Sequence, residues 1–192
     1  MHGSVGIFGG TFDPIHLGHL AAASRARRDL GLDRVLLVVA NDPWQKSPER
    51  TISPAADRLA MVAASVVEID GVEACDLEVV RGGPSYTIET IEALENAQGV
   101  VDPWIIVGAD LSLTLDSWER AAELKQRARV AVLSRPGSPL RLPGGWRAVA
   151  LESDDLDISS SAVRAAVRRG DDIAAMVPAA VIDHLARRTL YA

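Results

Sequence analysis

Two histidines, His16 and His19, stand three residues apart, just after the stretch Gly9-Gly10-Thr11-Phe12-Asp13-Pro14. Residues three apart share one face of a helical turn, so both imidazoles are placed together at the start of a helix. A helix N-terminus offers unpaired amides and a positive dipole end, which suits a phosphate. Gly9 and Gly10 allow a tight turn and close approach of backbone to ligand. Gly18 has no side chain, and the spacing predicts room for a bulky group between the two rings. Other readings stand beside this one. Each imidazole could simply cap or pack, and a His pair at this spacing could bind zinc with Asp13, although no third histidine or further carboxylate partner is evident. Neither G-x-x-x-x-G-K-(S/T) nor a G-x-G-x-x-G after the first strand is present, so the P-loop and dinucleotide fingerprints are excluded.

Further segments carry chemistry. Ile158-Ser159-Ser160-Ser161 opens a helix that bears Arg164. One serine would serve as a cap, and three hydroxyls before an arginine suggest a second phosphate cradle. Gly82-Gly83-Pro84-Ser85-Tyr86-Thr87 leads into another helix, with Ser85 as its expected cap. Asp110, after Gly108-Ala109, can accept from two ribose hydroxyls or cap the next turn. Lys46 follows a Pro43-Trp44 break and reads either as a solvated charge or as an anion contact. Between Leu124 and Leu151 there is no acid, but there are Lys125, Arg127, Arg129, Arg135, Arg141 and Arg147. Of these, Arg135 is expected to face ligand at a strand end, whereas Lys125 and Arg127 are expected to be solvated.

The elements that must position these groups alternate. Strands are predicted over Val5–Phe8, Arg34–Ala40, Ala74–Val80, Trp104–Val107, Arg129–Leu133 and Arg147–Leu151. Helices are predicted over Leu17–Leu30, Ser53 to about Val67 with Ser53 as cap and Pro54 as first residue, Ser85–Ala97, Trp118–Arg127, Ser159–Arg169 and Pro178–Leu190. Such βα alternation predicts a Rossmann-like, doubly wound, mostly parallel sheet with helices on both faces. Ligands then bind beyond the carboxyl ends of the strands. With 192 residues, one domain over 1–192 is expected, its C-terminal helical part (about 156–192) packed on the rest.

Composition narrows the partners. The formal charge of −6 disfavours a nucleic-acid binder without disfavouring a small anion held by a few cations. Cys75 is the single cysteine, so an internal disulfide and a multi-cysteine zinc site are excluded, and a cytoplasmic setting fits. No run reaches the roughly 18 apolar residues of a membrane span, and no secretory signal is expected. Assembly into a homo-oligomer is left open.

The segment GGTFDPIHLGH resembles the phosphate-binding motif of the nucleotidyltransferase superfamily, whose core is (H/T)-x-G-H. Over nearly the whole chain the resemblance is closer to the bacterial nicotinate-nucleotide adenylyltransferases. It rests on Pro43-Trp44-Gln45-Lys46, Arg81 to Thr87, Gly108-Ala109-Asp110, Ser134-Arg135-Pro136-Gly137, Ile158 to Arg164, and Trp118 eight residues beyond Asp110. The chain departs from the family pattern at Val39, Trp44 and Gln45, and has Ser161 where threonine is usual.

This resemblance implies an ATP-dependent adenylyltransferase that joins AMP to nicotinate mononucleotide in NAD biosynthesis. It implies His16, His19, Lys46 and Arg164 as catalytic, with no resident metal site. ATP would contact Gly9, Gly10, Thr11, Phe12, His19, Gly108, Asp110, Arg135, Ile158, Ser159, Ser160, Ser161 and Arg164. Nicotinate mononucleotide would contact Thr11, His16, Lys46, Tyr86, Thr87 and Trp118, the last stacking on the pyridine ring. Mg²⁺ would accompany ATP. The alternatives are an adenylyltransferase for nicotinamide mononucleotide or phosphopantetheine, a nucleotide-binding module without turnover, and a His-ligated metal hydrolase.

Overall fold

The computed structural model describes residues 3–43, 52–134, 142–152 and 158–192. Among these residues six strands form one sheet: β1 (Val5–Gly10), β2 (Arg34–Val39), β3 (Val72–Cys75), β4 (Trp104–Gly108), β5 (Arg129–Ser134) and β6 (Ala148–Glu152). Their order is β3-β2-β1-β4-β5-β6, and every pairing is parallel. Among the described residues eight α-helices accompany them: α1 (Leu17–Leu30), α2 (Ala55–Val66), α3 (Leu77–Arg81), α4 (Thr87–Gln98), α5 (Ala109–Ser112), α6 (Ala121–Arg127), α7 (Ser160–Arg169) and α8 (Ala179–Arg188).

Both faces of the sheet are buried, which is why β2 is an unbroken apolar run. Successive side chains point to opposite faces. Val35, Leu37 and Val39 join a core with Ala23, Met61, Val163 and Val181 from α1, α2, α7 and α8. Leu36 and Val38 join a second core with Ile88, Ile91 and Leu124 from α4 and α6. The doubly wound layering expected from the sequence is therefore present. The C-terminal α8 is tied to α2 by a buried carboxylate. Asp57 receives His184 Nε2 at 3.0 Å and Arg188 Nε at 2.9 Å. Burial alone would raise the Asp57 pKa, but the bonds from Arg188 and His184 bring it below the ordinary value.

Several expected boundaries are corrected. The third strand ends at Cys75, and Leu77–Arg81 forms a helical turn rather than continuing to Val80. The β-branched pair Val79-Val80 favours a strand, but Val80 is 77% exposed and its amide returns to the Asp76 carbonyl. Buried Glu78 meanwhile accepts the Thr90 hydroxyl at 2.6 Å, fixing the turn against α4. Tertiary contact here overrides local preference. At α2, Pro54 and not Ser53 holds the cap position, because the Ser53 carbonyl is taken by Arg58. Ser85 does not cap α4. Tyr86 occupies the cap, and the Ser85 hydroxyl accepts from the Asn41 amide, joining the end of β2 to α4. Trp118 precedes α6, at the end of a short 3-10 turn over Leu115–Ser117.

Candidate functional site

The chain leaves β1 toward β2 and β3 on one side, and β4 leads to β5 and β6 on the other. Strands β1 and β4 are adjacent, so the point where the strand order reverses lies between their carboxyl ends. That is where open α/β sheets bind ligands. The glycines ending these strands keep the ground clear. A Cβ on Gly9 or Gly108 would meet no atom within 4 Å. Gly10 is required for a different reason, since its Cβ would lie 2.7 Å from the ring of Phe12. Beside Gly10, a cleft of about 350 Å³ is lined by Thr11, Asp13, His16, His19, Ile158, Ser159, Ser160 and Ser161. Two segments that lie far apart in sequence thus converge on one space.

His16 caps α1, and its imidazole stacks on that of His19 with centroids 3.6 Å apart and planes 26° apart. Nothing fits between the rings, which corrects the expectation of a group lodged there. Gly18 instead makes room for His16 itself, since a Cβ would lie 3.1 Å from its Nδ1. The His16 backbone amide donates to His19 Nδ1 at 3.3 Å. A ring accepting at Nδ1 carries its proton on Nε2 when neutral, so His19 presents an N–H donor there. Phe12 meets the His19 ring edge-on at 5.0 Å, and Phe8 does so at 6.1 Å. The orientation of His19 is therefore set on three sides.

His16 is only 6% exposed, and burial lowers its pKa from 6.5 to about 4. It is neutral at physiological pH. Its Nδ1 is buried with no hydrogen-bond partner among the described residues. An unpaired buried polar atom costs about 1–3 kcal/mol. Among the described residues no group of three or more His, Cys, Asp or Glu could hold an ion.

Across the cleft, the three serines divide their work. Ser159 accepts from the Ala162 amide as the cap of α7. Ser160 donates to the Pro14 carbonyl at 2.9 Å, joining α7 to the turn after β1. Ser161 accepts from Arg164 Nη2 at 3.2 Å. Because their oxygens only accept in these bonds, Ser159 and Ser161 keep their own hydroxyl protons for a ligand. The first amides of α7 have no partner within the helix and add further donors. Arg164 is buried and does not line the cleft, and its Nη1 donates to the Asp13 carbonyl at 2.6 Å. Its charge acts from behind the turn. Phe12 is likewise buried, so what it can offer a ligand is backbone.

Tyr86, Thr87 and Trp118, expected to hold nicotinate mononucleotide, and Asp110, expected to hold ATP, lie outside this cleft, whereas Thr11 and His16 line it. Tyr86, at the cap of α4, and Trp118 pack against the same core, together with Ala109. Trp118 Nε1 donates to Thr114 Oγ1 at 3.2 Å, and its ring remains partly exposed. Thr87 begins α4, and Asp110 is exposed in the first turn of α5 without capping it. None of these four lines the histidine cleft, and Lys46 and Arg135 lie outside the described residues.

The acid-free stretch is less positive in space than in sequence. Lys125 pairs with Asp116 at 2.8 Å, Arg127 with Glu95 at 3.1 Å, and Arg129 and Arg147 both with Asp102 at 2.6 Å. Sequence reading missed two site residues. Tyr191 donates to Asp13 Oδ1 at 2.6 Å, carrying the end of the chain to the cleft wall. Burial and this bond push the Tyr191 pKa up. Arg58 lies beneath the turn, bonded to the Thr11 carbonyl. Its signal was available, since Arg58 shares helical spacing with buried Met61, Val62 and Ser65.

Comparison with known proteins places this geometry. Residues 7–166 match the family model described as cytidylyltransferase-like. A protein of Herpetosiphon aurantiacus named "probable nicotinate-nucleotide adenylyltransferase" is 37% identical, covering 97% of this chain and 98% of that protein. One of the same name from Streptomyces coelicolor is 38% identical over 95% and 98%. Among solved structures, Plasmodium falciparum nicotinic acid mononucleotide adenylyltransferase complexed with NaAD superposes with a TM-score of 0.81. It is 17% identical and covers 99% of this chain and 98% of that one, a likeness of fold.

Proposed function

Because the chain belongs to the cytidylyltransferase-like family, and within it to the nicotinate-nucleotide adenylyltransferases, we propose that it transfers AMP from ATP to nicotinate mononucleotide, releasing pyrophosphate. The observation that carries this reading is the stacked His16–His19 pair facing the start of α7 across one cleft. Two stacked imidazoles, a helix N-terminus and hydroxyl donors suit a polyphosphate and bring no nucleophile that the transfer requires.

The acceptor supplies its own attacking oxygen, since its 5′-phosphate is anionic at neutral pH. That oxygen attacks the α-phosphorus in line, the new P–O bond forms, and the bond to the pyrophosphate oxygen breaks. Catalysis then rests on positioning and on stabilising charge. His19 donates from Nε2 to a phosphate oxygen near the reacting centre. His16, neutral and buried, donates to a second oxygen. The α7 amides with Ser159 and Ser161 hold the leaving pyrophosphate, and Arg164 acts on it through its field. Lys46 and Arg135 are proposed, from sequence, to add direct cationic contacts.

Mg²⁺ enters as part of the substrate, carried on the ATP phosphates, as is usual for an ion that keeps several waters. The protein side fits this. The Asp13 carboxylate already accepts the Tyr191 hydroxyl, and the other polar side chains lining the cleft are hydroxyls and imidazoles. Acid-over-amide preference is assigned to the first amides of α4 at Tyr86 and Thr87, with Trp118 against the pyridine ring. A charge at a helix N-terminus is worth about 0.3–1 kcal/mol when exposed and up to about 2 when partly buried. The preference is therefore finite, about 30-fold at most from this source. The single buried cysteine and acidic charge support a cytoplasmic enzyme without nucleic-acid partners.

The test is pyrophosphate release from Mg-ATP with nicotinate mononucleotide, nicotinamide mononucleotide and phosphopantetheine side by side. The first should be turned over best. Best turnover of phosphopantetheine would overturn the acceptor assignment, and no release with any acceptor would reduce the protein to a nucleotide-binding module.

A further inference from the structure

Arg58 is 1% exposed, and among the described residues no carboxylate pairs with it directly, although the Asp13 charge offsets part of the cost of its burial. Its guanidinium is spent on backbone. Nε donates to the Ser53 carbonyl at 2.9 Å, Nη1 to those of Thr11 and Ala40 at 2.8 and 2.6 Å, and Nη2 to that of Asn41 at 3.1 Å. Burying a cation costs several kcal/mol even after relaxation. Stability alone is a poor reason to keep one here, because well-packed apolar residues serve as well or better. The four carbonyls give a better reason. Thr11 belongs to the turn that delivers the histidines, Ala40 and Asn41 follow β2, and Ser53 leads into α2. Three chain segments are thereby joined through one planar group.

We propose that Arg58 is a positioning residue for the transfer reaction, holding the Thr11 turn in register with both the end of β2 and the entrance to α2. The proposal rests on the reaction assigned above. Neighbouring contacts make the register matter. The Thr11 turn continues into Asp13 and Pro14, whose carbonyls receive Arg164 and Ser160. Thus Arg58 anchors one side of the turn while α7 anchors the other, and His16 and His19 begin two residues beyond Pro14. Asn41 and Ser53 flank the segment in which the sequence places Lys46. A lysine cannot replace this clamp, because an ammonium is a compact point donor without the rigid fork that reaches several directions at once.

The test compares Arg58→Lys and Arg58→Ala with the wild type, using Mg-ATP and nicotinate mononucleotide and measuring kcat and each KM. Misplacement of reacting groups by about 1 Å costs about 10²-fold. Arg58→Lys should lose about that much in kcat, with each KM changed far less. Millimolar guanidinium should restore Arg58→Ala saturably, methylammonium should not, and neither should accelerate the wild type. A folded Arg58→Lys enzyme within threefold of wild-type kcat overturns the proposal. So does a folded Arg58→Ala enzyme that guanidinium does not rescue. Loss of the fold in both variants assigns Arg58 to stability alone and also overturns it. A wild type that releases no pyrophosphate is a separate outcome, failing the reaction reading and this proposal with it.

Discussion

Replacing Gly18 by alanine should make the protein less active, with the helix gain in stability offset by strain on His16. Gly18 lies in the first turn of α1 with ordinary helical backbone, so alanine there gains the usual 0.5–1 kcal/mol, roughly, over glycine. In a chain of this length that gain alone would raise Tm by about 2–4 °C per kcal/mol. The new Cβ, however, would stand 3.1 Å from His16 Nδ1 and 3.2 Å from its Cε1. Ordinary contact begins near 3.4 Å, so the imidazole must retreat by about 0.3 Å. His19 stacks on that ring at 3.6 Å and is edged by Phe8 and Phe12, which leaves little slack to absorb the shift. Since about 1 Å of misplacement costs about 10²-fold, a few tenths of an ångström should cost about 3–10-fold in kcat/KM. Calorimetry and the pyrophosphate assay on the same preparation check both halves. A Gly18→Ala enzyme with unchanged kcat/KM would refute the claim that the stacked geometry matters, whatever its Tm.

Three other outcomes follow from the same contacts. His19→Ala removes a preorganised donor and should lower kcat by about 10²–10³-fold, and a variant with near-normal turnover in the coupled assay takes His19 out of the mechanism. His16 is neutral when folded, with a pKa of about 4 against 6.5 when unfolded, so the unfolded chain binds the extra proton between these values. Stability should therefore fall as pH drops from 6.5 toward 4, by about 3 kcal/mol in total from this residue. Urea titrations across that range should show a shallower slope for His16→Gln, and parallel slopes would contradict the burial argument. Tyr191→Phe leaves the buried Asp13 carboxylate short of a donor and should cost about 1–3 kcal/mol, read as a lower Tm; an unchanged Tm would mean that the terminal segment contributes nothing to the cleft wall.

Much of the frame was legible because period and punctuation agreed. The apolar run of β2 could only be a strand buried on both faces, and Gly31, in a left-handed conformation at φ 62°, ends α1 where the sequence suggests. The spacing of His16 and His19 likewise located the cleft. What it could not convey was ring orientation, because stacking depends on Phe8, Phe12 and Gly18 acting together. Local preference misled at Val79-Val80, where the Glu78–Thr90 bond decides the conformation. It misled again at Ser85, whose hydroxyl serves Asn41 rather than its own helix. Charge counted along the chain misled between Leu124 and Leu151, since the balancing acids Glu95 and Asp102 come from segments earlier in sequence. Tyr191 was not legible because its partner Asp13 lies 178 residues away, whereas the helical spacing of Arg58 with Met61, Val62 and Ser65 did mark it as buried.

The central claim is that the acceptor's own phosphate, and no group of the protein, attacks the nucleotide held by the histidine cleft. Following the label from ATP marked at its α-phosphorus tests it most directly. With nicotinate mononucleotide present, the account predicts label in the dinucleotide product, none on the protein, and no exchange of labelled pyrophosphate into ATP when the acceptor is withheld. Label retained by the denatured protein, or exchange without acceptor, would contradict it.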